Sequence, residues 1–157
     1  MVQAIPAGYA GVTAYLIIKG AARALDYYKK AFGAKELMRF PGENDDSIGH
    51  AEIKIGDGVV MLADEAPDMG YRSPQSIGGT PVSLMFYVSD VDARFAKAIA
   101  AGGTVKQEVK DQFYGDRSGT LVDPFGHVWT IATHKEDVSP EEMQRRLTAM
   151  MAGGKST

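Results

Sequence analysis

Hydrophobic and polar positions along this chain change period repeatedly, and the same order of changes occurs twice. Val12 to Ile18 is a continuous β-rich run (Val-Thr-Ala-Tyr-Leu-Ile-Ile) that predicts a buried strand. After Lys19-Gly20 the spacing becomes helical. Ala21, Leu25, Tyr28 and Phe32 share a stripe, Arg23, Asp26, Lys29 and Lys30 lie off it, and Gly33 closes the segment. Three strands follow: a weak one at Glu36 to Phe40, an alternating one at Ser47 to Ile55, and one at Val59 to Ala63. In the alternating strand His50, Glu52 and Lys54 oppose Ala51, Ile53 and Ile55. The turn Gly56-Asp57-Gly58 holds either two or three loop residues, and that count decides which face points inward.

The second half repeats the order. Val82 to Val88 is a strand, and Val91, Phe95, Ala98 and Ile99 stripe a helix that ends at Gly102-Gly103. Val105 to Val109, Ser118 to Val122 and Val128 to Thr133 are three more strands, with Asp123-Pro124-Phe125-Gly126 as a type I turn before the last. Val12 and Val82, Gly33 and Gly103, and Gly56 and Gly126 are each seventy residues apart. This is an internal duplication of a βαβββ unit. The expected fold is α+β, with units at 10–65 and 82–135, a Gly-, Pro- and Ser-rich linker at 66–81, and a helix at 138–151. That last helix opens on a capping box, Ser139-Pro140-Glu141-Glu142, with Val138 placed to staple onto Met143. Its stripe of Met143, Leu147 and Met150 or Met151 needs a partner, from the same chain or from another. The tail Gly153-Gly154-Lys155-Ser156-Thr157 is expected to fray.

Composition narrows the function. Hydrophobic residues at 45% and charged residues at 24% fit an ordinary globular chain of 157 residues. A formal net charge of −3 gives no pull toward nucleic acid or anionic lipid. The absence of cysteine excludes disulfides, thiolate metal sites and a cysteine nucleophile. No basic n-region or membrane-length apolar run is present, so the expected location is cytoplasmic. No phosphate-binding loop, dinucleotide fingerprint or nucleophile elbow occurs; Gly153-Gly154-Lys155-Ser156 neither follows a strand nor opens a helix.

Several segments carry a family resemblance. The helix Ala21 to Ala34 with its aromatic-to-glycine ending, the turn Val88-Ser89-Asp90-Val91-Asp92, and the hairpin Asp123-Pro124-Phe125-Gly126-His127-Val128-Trp129 resemble the vicinal-oxygen-chelate superfamily of glyoxalases, bleomycin-resistance proteins and dioxygenases. Gly49-His50-Ala51-Glu52 and Gly115-Asp116-Arg117-Ser118-Gly119 are similar to its PhnB-like branch. The resemblance spans roughly residues 10 to 135. It implies a cup-shaped curved sheet with helices outside and, as in many relatives, a homodimer around a small-molecule ligand. It also implies a four-residue metal position, which falls on Thr13, Met61, Ser83 and Thr130. Three hydroxyls and a thioether are poor donors for a divalent ion, so no metal cofactor is expected there.

Two readings of function stay open. In one, an amphipathic small molecule binds a metal-free pocket lined by Thr13, Tyr15, Met61, Ser83, Met85 and Thr130, with Tyr114, Arg117 and Trp129 adding polar and aromatic contacts. In the other, His50 and Glu52 share a strand face, Glu65 lies just beyond the paired strand, and the three form a displaced metal or acid–base site of lyase, isomerase or dioxygenase type. Each residue also has a plainer role: a polar outer strand face for His50 and Glu52, core packing for the methionines, local hydrogen bonds for Thr13 and Ser83. Arg117 either holds an anionic ligand group or pairs with Asp116, Asp123 or Glu108. His127 and His134 read as structural or solvated. Asp45, Asp46, Asp64, Glu65 and Asp68 either favour a cationic ligand or form a solvated surface.

Overall fold

The computed structural model describes residues 2–44 and 46–153, so Asp45 and the tail beyond Gly153 lie outside it. The first unit runs β1 (Ala14–Ile18), α1 (Ala21–Phe32), β2 (Lys35–Pro41), β3 (Ile48–Ile55) and β4 (Gly58–Asp64). After the linker helix α2 (Pro74–Ile77) come β5 (Ser83–Tyr87), α3 (Val91–Ala100), β6 (Thr104–Asp111), β7 (Asp116–Val122) and β8 (Val128–His134), then α4 (Pro140–Gly153). The strands form two four-stranded mixed sheets, ordered β1-β4-β3-β2 and β5-β8-β7-β6, with β1∥β4 and β5∥β8 as the parallel pairs. The duplicated βαβββ architecture read from the sequence is what the chain forms. The linker is more ordered than its composition suggests. A 3-10 turn at Pro67–Met69 precedes α2, whose N-terminus is capped by Ser73.

Alternation gives each sheet a covered face and an open face. Leu16, Ile18, Ala51, Ile53, Val60 and Leu62 are buried beneath the helix side, whereas Tyr15 on the opposite side is 47% exposed. The helix stripe closes the core: Ala24, Leu25, Tyr28 and Ala31 of α1 have no exposed surface, and Gly33 at φ 69° ends the helix. α1 and α3 pack on each other, and the Tyr27 hydroxyl donates to the Ala98 carbonyl at 3.2 Å. Phe32 then meets Phe86 and Trp129 at ring distances of 5.1 and 4.8 Å, so one aromatic core joins both units.

The duplication slips by one residue at its end. Tyr15 lies opposite Met61 and Met85 lies opposite Thr130, so the offset between β4 and β8 is sixty-nine rather than seventy. The hairpins differ for the same reason: Ile55 pairs with Gly58 across two loop residues, whereas Val122 pairs with Val128 across five. The two-residue loop sets the face question in the first unit. His50 and Glu52 lie on the open side with Tyr15 and Met61.

Candidate functional site

A row of side chains crosses the open face of the first sheet. Tyr15 is paired in register with Met61, Met61 with Glu52, and Glu52 with Met38. His50 sits two residues before Glu52, opposite Phe40. Hydrogen bonds link the row. The Tyr15 hydroxyl is 2.8 Å from His50 Nδ1, and His50 Nε2 is 3.2 Å from Glu52 Oε1. Tyr9, on the N-terminal arm, donates its hydroxyl to the other Glu52 oxygen. Glu52 is only 6% exposed, covered by the arm rather than sunk in the core. The Tyr9 hydrogen bond, and after it that of His50, holds the Glu52 carboxyl below the usual range. Tyr15 is shifted upward, first by partial burial and then by the neighbouring Tyr71 and Glu52.

The matching row of the second sheet is milder in chemistry. Met85, Thr130 and Thr120 stand where Tyr15, Met61 and Glu52 stand in the first, and the two threonine hydroxyls bond each other at 2.9 Å. Farther along this face lies a cluster not singled out in the sequence. Asp116, 5% exposed, accepts the Tyr87 hydroxyl at 2.7 Å and pairs with His134 Nδ1 at 2.8 Å, while His134 Nε2 meets Asp137 at 3.0 Å. Asp116, then Asp137, raises the His134 pKa. Gly115-Asp116 was legible as a distinctive segment, but the partners come from two other strands.

Several expected site residues lie elsewhere. Glu65 is not with His50 and Glu52: its carboxylate accepts the Ser73 amide at 2.6 Å, ahead of α2. The proposed three-residue cluster is therefore a pair. Among the described residues no group of three or more His, Asp or Glu side chains is arranged to hold a metal ion. Arg117 points to the helix side and forks onto Asp92 of α3 at 2.7 and 2.8 Å, with Asp111 as a further partner. The expected pairing with Asp116, Asp123 or Glu108 does not form. Trp129 is 2% exposed, and its indole N–H donates to Asp123 at 2.9 Å, on the face opposite Thr130. Tyr114 lies in the turn before β7, edge-on to Phe113. Thr13 is half-buried just before β1, and Ser83 is exposed at the start of β5. His127 is buried and bonds the Ile17 carbonyl at 3.1 Å, a structural tie between the units. Asp64 is likewise structural, accepting the Gly20, Ala21 and Ile48 amides.

Between β1 and β5 runs a cleft of about 310 Å³, lined by Tyr15, Ile17, Arg72, Ile77, Val82 and His127 among others. Tyr15 thus belongs both to the row and to the wall of this cleft. No helix among the described residues is long and apolar enough to cross a membrane.

Known proteins resemble this chain in sequence and fold. The chain is 43% identical over 142 residues to an uncharacterized protein of Mycobacterium tuberculosis, covering 88% of this chain and 83% of that one. The crystal structure of TioX from Micromonospora sp. ML1 is similar with a TM-score of 0.62 and 28% identity, covering 83% of this chain and all of TioX. The fosfomycin resistance protein FosX of Listeria monocytogenes, in a crystal structure with Mn(II) and 1S,2S-dihydroxypropylphosphonic acid, shares the fold at a TM-score of 0.61 and 18% identity, covering 88% of this chain and 98% of that one. Residues 10–131 match the glyoxalase/bleomycin resistance protein/dioxygenase superfamily, and the chain belongs to it.

Proposed function

We propose that this protein binds an amphipathic small molecule on the open face of its sheets, with no divalent ion at the family metal position. The observation that carries the reading is the first-unit row: Tyr15, Met38 and Phe40 are 47, 41 and 57% exposed beside the polar pair His50 and Glu52. Apolar walls around a few fixed polar groups are what such a ligand needs. The metal position does not suit an ion. Thr130 already shares its hydroxyl with Thr120, Met61 offers only a thioether, and neither Thr13 nor Ser83 brings charge. The His50-Ala51-Glu52 and Asp116-Arg117 segments support a place in the PhnB-like branch, and the composition fits a cytoplasmic protein. Exposed apolar side chains on both sheets favour a homodimer in which a second copy covers these faces.

The test combines metal and ligand. Crystals soaked in nickel, zinc and manganese are expected to show no anomalous peak bounded by Thr13, Met61, Ser83 and Thr130, and the melting temperature is expected to be unchanged by those ions. A neutral amphipathic dye such as Nile red is expected to bind saturably, and Met61→Glu to abolish that binding. A strong peak among those four side chains overturns the reading.

One observation favours a second reading, an acid–base enzyme. With His50 Nε2–H directed at Glu52, Nδ1 is the acceptor for the Tyr15 hydroxyl, a carboxylate–imidazole–phenol chain. Tyr15 would take a substrate proton while its own passes to Nδ1, and Glu52 would stabilise the imidazolium. Proton exchange between a bound carbon acid and deuterated water, lost in both Tyr15→Phe and His50→Gln, would establish this activity.

A further inference from the structure

The open face of the first unit holds a carboxylate without a full cationic partner. Among the described residues the only ion-pair contact of Glu52 is His50. Lys54 follows on the same strand face but reaches Asp57 at 3.2 Å, and Arg39 forks onto Glu36. Both Glu52 oxygens already accept hydrogen bonds, from Tyr9 and from His50. A small, strongly hydrated cation needs bare carboxylate oxygen to replace its water, and here there is little to offer. A large, weakly hydrated cation needs something else: aromatic faces, soft apolar contacts and a nearby negative charge. Those are present. Tyr15 and His50 lie 5.5 Å apart, centroid to centroid, and Phe40 stacks on His50 at 6.4 Å. Tyr9 joins them through Glu52, and the thioethers of Met38 and Met61 flank that carboxylate in register.

We infer that Tyr9, Tyr15, Phe40 and His50, arranged around Glu52, form a receptor for a quaternary or charge-delocalised organic cation. This rests on the small-molecule reading above and names the ligand's class. The cationic group would lie over the rings, its charge opposite Glu52, with an apolar remainder extending past Met61 toward the Tyr15 cleft.

The probes are choline and its neutral isostere 3,3-dimethylbutan-1-ol, titrated into the full chain and followed by NMR. Choline is expected to perturb the ring signals of Tyr9, Tyr15, Phe40 and His50 and to bind ~10-fold tighter than the isostere, in the range of a partly desolvated cation–π contact. Glu52→Gln is expected to bring choline down to the isostere's level, and Phe40→Ala to weaken choline more than the isostere. Tyr9→Phe keeps the charge while removing one of its hydrogen bonds, so retained choline binding in that variant supports the charge-based account. Equal binding of the two probes by the wild-type chain overturns the inference. So does manganese broadening of the His50 signals together with displacement of choline. Nile red separates the layers: if the dye binds but choline shows no preference, only the cation inference fails, whereas loss of dye binding removes the reading beneath it.

Discussion

Asp123 shows how a single side chain can be legible in its turn and not in its role. Its place before Pro124 marks a turn, and the turn forms, with the Gly126 amide on the Asp123 carbonyl at 3.1 Å. Its carboxylate also accepts the Tyr28 hydroxyl, the Trp129 indole and the amides of Phe125 and His127, all in the buried core. Asp123→Ala would leave the fully buried Tyr28 hydroxyl and the Trp129 N–H without partners. The expected loss is about 3 kcal/mol of unfolding free energy, read by urea denaturation. The misplacement of Trp129 has a simple cause. Thr130 and Trp129 are adjacent on one strand, so they cannot face the same pocket, and the larger apolar residue takes the core. Arg117 was undecidable from sequence because Asp92 lies twenty-five positions away on a helix. His134 gives a prediction in pH. Its folded pKa is raised above 6.5 by Asp116 and Asp137, so its stabilising effect is complete below the unfolded value and fades as pH rises through the folded one. The melting temperature is expected to fall as pH rises above the ordinary histidine value of 6.5, and His134→Gln to flatten that fall.

Element boundaries follow the hydrophobic pattern closely where an element has a face to bury, as β1, β3, β4, β7, β8, α1 and α3 do; β2, β5, β6 and α4 contain no buried residue. What the pattern does not record is how the ends are held. The C-terminal helix forms with half of the expected capping box: the Glu142 amide donates to Ser139 Oγ at 3.2 Å, while the Glu142 carboxylate pairs with Arg145 and Arg146. None of its residues is buried, however; Met143 and Leu147 of its stripe are only half-buried, and polar contacts add to the attachment. Arg146 pairs with Glu136 and Glu142 and reaches the Phe113 carbonyl. Next to that anchor Gly115 adopts φ 100° and accepts the amides of Lys135 and Glu136. A Cβ there would stand 2.1 Å from the Glu136 carbonyl oxygen, closer than any contact allows. Gly115→Ala is therefore expected to cost about 1–3 kcal/mol and to loosen the segment leading into α4. Faster amide exchange across residues 135–153, with the α1 amides still protected, is the expected signature. Uniform loss of protection would mean that Gly115 supports the whole fold and not one attachment.

At the scale of the molecule, α1 and α3 pack on each other and the covered faces of both sheets share one aromatic core, so the open faces are the sheet surfaces left for a ligand or a second copy. The chain exposes 9992 Å², against about 7,700 Å² for a compact monomer of 16.9 kDa. The exposed arm from Val2 to Tyr9 accounts for part of that surplus of roughly 2,300 Å², which exceeds the ~800 Å² that one partner contributes to a standard interface. The exposed apolar residues lie where an interface would need them: Tyr15, Met38 and Phe40 on one sheet, Met85 and Tyr87 on the other, Met150 and Met151 on α4. Among the described residues the outer edges of β1 and β5 carry no strand partner. A second copy would cover both kinds of surface at once. The wild-type chain is accordingly expected to sediment as a dimer at micromolar concentration. Met85→Glu would place a charge on the open face, neutral in cost if the face meets water and severe if it meets protein. The variant is expected to sediment as a monomer with its near-ultraviolet circular dichroism intact, since Met85 takes no part in the aromatic core. A wild-type monomer, or a Met85→Glu dimer as stable as the parent, would show that these faces are solvated and that the ligand is bound by one chain alone.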